Sequence, residues 1–124
     1  MDKKAAPRDK DFIMPRDRPQ TEWIDRLARA VSDLHRCQAR YRDTVYVRET
    51  HEGETAWRGD VAVFDLDGHG YASVCYAWSE PVPGSDRHRF YAVLHIPPVQ
   101  SAADAVRAVI REQFRQRYPP PQAD

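Results

Sequence analysis

The chain lacks any run approaching the roughly twenty apolar residues of a membrane-spanning helix, and its N-terminus is charged where a secretory signal would carry an apolar core. No membrane-spanning helix is therefore expected, and a cytoplasmic protein is. Cysteine is scarce. Cys37 falls in a helical pattern and Cys75 in a strand pattern, so both read as small half-buried residues and not as a bridge. No histidine has zinc-ligand spacing with either. Excess charge of one sign is missing too: 19 basic and 19 acidic residues cancel and are intermixed, so electrostatic binding of nucleic acid is not announced. Lysine occurs only at Lys3, Lys4 and Lys10, every other cation being arginine, a bias expected of a GC-rich bacterial genome. No internal repeat is present, and the one biased tract, Pro119 to Pro121, ends the last helical pattern.

What the chain does have is a change of hydrophobic period. At 124 residues it is long enough for one domain with a core of its own. Residues 1–19 are charged and proline-punctuated, with an apolar island at Phe12, Ile13 and Met14, and read as a disordered tail. Residues 20–118 form the expected domain, and 119–124 a short tail. Ile24, Leu27, Val31, Leu34 and Tyr41 recur at helical spacing after a cap at Thr21, which predicts a helix ending near Arg42. From Thr44 the period becomes two. Strands are predicted over Thr44–Thr50, Thr55–Leu66 with a bulge at Gly59, Tyr71–Ser79 and Arg87–Ile96. Ser101 and Asp104 resemble a capping box, and Ala102, Ala103, Val106, Val109, Ile110, Phe114 and Tyr118 give a second amphipathic helix. The fold class is α+β: a four-stranded antiparallel meander with an N-terminal and a C-terminal helix packed on one face, in the order α-β-β-β-β-α.

Register decides what the other face presents. A three-residue turn of Gly68, His69 and Gly70 pairs Asp67 with Tyr71 and puts Phe64 and Leu66 on the same face as Val74 and Tyr76. That face, with Val45, Val47, Trp78, Phe90, Leu94 and Ile96, is the expected core. The opposite face then carries Tyr46, Arg48, Val63, Arg89, Tyr91, Val93 and His95 with no helix to cover it. Valines, tyrosines and arginines on an open sheet suit a partner-binding surface, for an unknown protein or a second copy of the chain.

Catalytic chemistry finds less support. Asp65, Ser73 and His95 supply the residue types of a hydrolase triad, but neighbouring strands would put the serine between acid and base, and catalysis needs the histidine there. Asp65, Asp67 and His69 alternate at a strand end, yet Asp-Gly is ordinary turn chemistry and the spacing is not that of a calcium loop. No catalytic, cofactor or metal residue is assigned. The function expected is a non-enzymatic interaction, accessory or regulatory domain. The second reading is an RNA-binding module using sheet tyrosines and the helical row Arg107, Arg111 and Arg115. Four consecutive strands and the missing basic-aromatic signature count against it.

Overall fold

Helix α1 (Asp17–His35) forms because an apolar stripe runs along one side of it, with Leu27 and Val31 fully buried and Trp23, Ile24 and Ala28 half-buried beside them. It belongs to a computed structural model that describes residues 17–117, with side chains from 21 to 113. The apolar island Phe12–Met14 and the residues after 117 lie outside the described residues. The helix begins ahead of Thr21, the expected cap, and stops well short of Arg42. Arg36 takes a left-handed conformation (φ 55°), and its N–H donates to the Ser32 carbonyl at 2.8 Å, closing the last turn. Residues 38–41, which fall within the predicted helix, belong instead to a strand. Ala39 and Tyr41 pair with Leu66 and Phe64, and Leu34, freed from the stripe, is exposed.

Four strands follow in sequence order: β1 (Gln38–His51), β2 (Glu54–Asp67), β3 (Val74–Pro81) and β4 (His88–Leu94). All neighbours are antiparallel, which makes β1 and β4 the edges of an open sheet. Glu52 and Gly53, both at positive φ, close the first hairpin in two residues, the conformation that matches strand twist. Helix α2 (Ala102–Arg117) completes the α-β-β-β-β-α layout. Its start is capped as expected. The Asp104 N–H donates to Ser101 Oγ at 3.1 Å, while the Asp104 carboxylate reaches back to the Gln100 N–H at 3.0 Å.

The two helices do not share a face. The turn between β2 and β3 spans residues 68–73, not three residues. His69 Nδ1 accepts the backbone N–H groups of Tyr71 (3.3 Å) and Ala72 (3.1 Å), and the Leu66 N–H donates to the Ser73 carbonyl at 2.9 Å. Phe64 consequently pairs with Cys75, one position from the expected Val74. A slip of one residue reverses every side chain of a strand, so β3 is turned over relative to the expected sheet. Phe64, Leu66, Cys75, Ala77, Phe90 and Leu94 then face α1, whereas Val61, Val63, Tyr76, Trp78, Tyr91 and Val93 face α2. Val45 and Val47 also leave the Phe64 row, because a bulge between Tyr41 and Asp43 shifts their register. Size explains the partition. The α1 face is paved with Ala62, Cys75, Ala77 and Ala92, which admit Leu27 and Val31; the α2 face carries Trp78 and Tyr76, and α2 meets them with Ala102, Ala105 and Val106.

No register shift occurs at Gly59, where a bulge was expected. Gly59 is small for another reason. The Trp57 indole lies across it, and a Cβ there would sit 3.1 Å from Trp57 Cη2 and 3.3 Å from Cζ2. The ring is held in place by its Nε1–H, which donates to Glu80 Oε2 at 2.7 Å. Gly59→Ala is expected to push the indole off this hydrogen bond and cost about 1–3 kcal/mol. Urea unfolding together with tryptophan emission checks it, and unchanged stability with unchanged emission would show that the ring does not need the glycine.

Candidate functional site

The residues expected to form one open surface are distributed over two faces and three depths. Val63 is 5% exposed and lies under α2 with half-buried Tyr91 and Val93. Tyr91 stacks on Trp78 (centroids 5.3 Å apart, planes at 20°), donates to Glu80 Oε1 at 3.4 Å and accepts from Gln113 Nε2 at 2.9 Å. His95 is half-buried, its Nδ1 2.7 Å from the Tyr76 hydroxyl. Arg89 is exposed opposite Glu80. Tyr46 and Arg48 are exposed on β1, on the α1 side of the sheet, which the alternation from Val45 and Val47 requires. The open sheet face is thus a correction: α2 covers it, because β3 is inverted.

The remaining candidate groups are engaged separately. Arg42 Nη2 meets Asp65 Oδ1 at 2.6 Å, and His95 is held by Tyr76, so the acid and base of the discarded triad each have another partner. Arg40 binds Asp67 at 2.8 Å; its hydrogen bond and charge hold the Asp67 carboxyl below the ordinary carboxylate range. Among the described residues no group of three or more histidine, cysteine or acidic side chains could hold a metal ion. Arg107 is bound to Glu49 at 2.7 Å and to Asp104 at 2.9 Å, and the hydrogen bond to Glu49 leads in raising its pKa. Arg111 is exposed, while the Arg115 side chain lies outside the described residues. The arginine row is therefore not a run of unengaged cations.

A different surface emerges at β1. Among the described residues Leu34, Tyr41, Val45, Tyr46 and Tyr71 are the exposed large hydrophobics, and three of these five lie on the edge strand: Tyr41 (45%), Val45 (38%) and Tyr46 (62%). Beyond β2, no described strand pairs with β1. Alternation sends Val45 to the α2 side and Tyr46 to the α1 side, so both flanks of the free edge are apolar. On the α2 side a groove of about 520 Å³ runs beside it, lined among others by Val45, Val47, Val63, Tyr76, Ala102 and Ala103. The charges along the edge are mostly satisfied within the chain, through Arg40–Asp67, Arg42–Asp65 and Arg107–Glu49. Of its cations Arg48 differs, with hydrogen bonds at 3.2 and 3.3 Å to the Thr55 hydroxyl and no carboxylate.

Sequence pattern singled out Tyr46 and Arg48 but missed Tyr41 and Val45. By pattern alone Tyr41 falls in the first helix and Val45 in the core. The available signal was topological, since the first strand of a meander is an edge whatever its register.

No known protein family matches the chain, and no match is found among curated proteins or solved structures. No helix among the described residues is long and apolar enough to cross a membrane.

Proposed function

We propose that this domain is a non-enzymatic protein-interaction module, an accessory or regulatory subunit of a bacterial cytoplasm, that engages its partner along the edge of β1. One observation carries the reading: exposed large apolar side chains gather on an unpaired edge strand. Such an edge offers a row of backbone donors and acceptors, and proteins ordinarily blunt it with charge, proline or cover. Here Val45 and Tyr46 stand where a protective lysine would be expected. An added strand would gain main-chain hydrogen bonds, with the adjoining groove receiving alternate side chains.

Tyr46→Lys combined with Val45→Lys places two charges on solvent-exposed positions of this edge. The double variant is expected to keep its far-UV circular dichroism and to lose at least tenfold in partner binding, measured by affinity capture with nuclease-treated and untreated halves. Full binding by the folded variant would overturn the reading, as would capture that disappears on nuclease treatment.

A further inference from the structure

We propose that the β1 edge pairs with β1 of a second copy of this chain, antiparallel about a two-fold axis at Tyr46, joining two four-stranded sheets into one of eight strands. This rests on the reading of β1 as the contact edge and names the partner.

The geometry of the strand selects the axis. β1 is interrupted twice, between Tyr41 and Asp43 and between Glu49 and Thr50. A bulge bends a strand and increases its twist, so only the unbroken stretch Asp43–Glu49 presents a straight edge. Its midpoint is Tyr46. A two-fold axis perpendicular to a sheet keeps each face continuous across the junction, and residues that meet must therefore come from the same side of the strand. The axis has to pass through a residue, not between two.

Centring it on Tyr46 sets Val45 against Val47 twice on the α2 side. On the α1 side, Tyr46 meets its own image and Thr44 meets Arg48. The pairing is apolar at its centre and uses the whole straight stretch. Centring on Val45 sets Asp43 against Val47, and centring on Val47 sets Val45 against Glu49; each opposes a carboxylate to a valine. The Tyr46 register sets Asp43 against Glu49, a like-charged pair, twice, once at each end. There Arg107 already neutralises Glu49 at 2.7 Å, and Asp43 Oδ1 accepts the Thr44 N–H at 2.8 Å.

Charge also argues for self-recognition over an acidic partner. Arg40 and Arg42 are spent on Asp67 and Asp65, which leaves Arg48, bonded to the Thr55 hydroxyl, as the one cation of the straight stretch with which to select an acidic strand. What it offers is a neutral Val-Tyr-Val sequence, which is its own mirror image in an antiparallel pair. A contact of one short strand lies at the small end of specific interfaces, and the dimer is expected to dissociate in the micromolar range.

The experiment is analytical ultracentrifugation of the full chain over a concentration series, coupled to a register test by disulfide formation. The wild type is expected to shift from monomer to dimer with concentration, and Tyr46→Lys, which would bring two ammonium groups together at the axis, to remain monomeric with unchanged circular dichroism. In a Cys37→Ser background, Tyr46→Cys is expected to cross-link to itself on mild oxidation. Directly opposed residues of antiparallel strands have Cα atoms about 4.5–5.5 Å apart, within reach of a disulfide. Val45→Cys is expected not to cross-link, since its image is displaced by two positions to about 7–8 Å. A wild type that stays monomeric at hundreds of micromolar overturns the pairing, and so does a dimer that survives Tyr46→Lys or cross-links equally through Val45→Cys. A monomeric wild type whose partner capture is still lost in the Val45→Lys, Tyr46→Lys variant would overturn self-pairing while leaving the interaction reading standing.

Discussion

Trp78→Ala is expected to lower the free energy of unfolding by about 3–5 kcal/mol, a large part of the roughly 5–15 kcal/mol that holds a domain together. Trp78 is 1% exposed, stacks on Tyr91 and meets Trp57 edge-on with centroids 5.8 Å apart. It is the largest fully buried side chain among the described residues and occupies the middle of the α2 core. Truncation would open a cavity bounded by two further aromatic rings. Trp78→Phe is expected to behave very differently. The Trp78 Nε1–H is buried with no hydrogen-bond partner, and an unpaired buried donor costs about 1–3 kcal/mol. Phenylalanine keeps a ring against Tyr91 while removing that donor, so relief of the unpaired N–H offsets part of the lost volume. The phenylalanine variant should lose less than half as much stability as the alanine variant. Urea denaturation of both checks this. Equal losses would show that Nε1 is not a liability in the folded protein.

The contrast between Trp78 and Cys75 shows where sequence pattern succeeds and where it stops. Alternation along β3 was legible, and so were the order and type of all six elements, the Ser101 and Asp104 cap and the turn at Gly53. Which side of β3 faces which helix was not. That choice turns on whether three or six residues separate β2 from β3, and the longer loop is held by a side chain, His69, acting as acceptor for two backbone N–H groups. No turn propensity encodes such a contact. The same register put Cys75 and Ala77 on the face opposite Phe64, whereas these small residues lie beside it and let α1 approach the sheet. At the end of α1, Tyr41 fits both the helical stripe and a strand alternation with Ala39, and pairing of Ala39 and Tyr41 with Leu66 and Phe64 decides for the strand. The site suffered from the same inversion. Tyr46 and Arg48 were found by residue type, yet were grouped with Val63, Tyr91 and Val93, which α2 covers.

Raising the pH above 9 is expected to erode stability steeply, with Cys75 as a principal cause. Its side chain is fully buried among Phe64, Ala62 and Ala77 on the α1 face, and burial pushes its thiol from an ordinary value of 9.0 up to about 12. Below pH 9 both the folded and the unfolded chain carry the proton, so this group gives stability no pH dependence there. Between 9.0 and 12 the unfolded chain releases a proton that the folded chain keeps. Protons bound in the folded state then exceed those bound in the unfolded state, and stability falls as pH rises, by about 1.4 kcal/mol per unit. The Tyr76 hydroxyl, also raised by burial, with Arg42 opposing the shift, steepens the fall higher in the same window. Cys75→Ala isolates the thiol, since alanine matches the neighbouring Ala62, Ala77 and Ala92 and its loss at neutral pH should be modest, about 1 kcal/mol. Urea unfolding at a series of pH values from 7 to 11 should give the variant a shallower decline than the wild type above pH 9, the two curves converging or crossing as the pH rises. Parallel curves would mean that the thiol ionises as readily folded as unfolded, and Cys75 would then have to lie closer to water than the row beneath α1 allows.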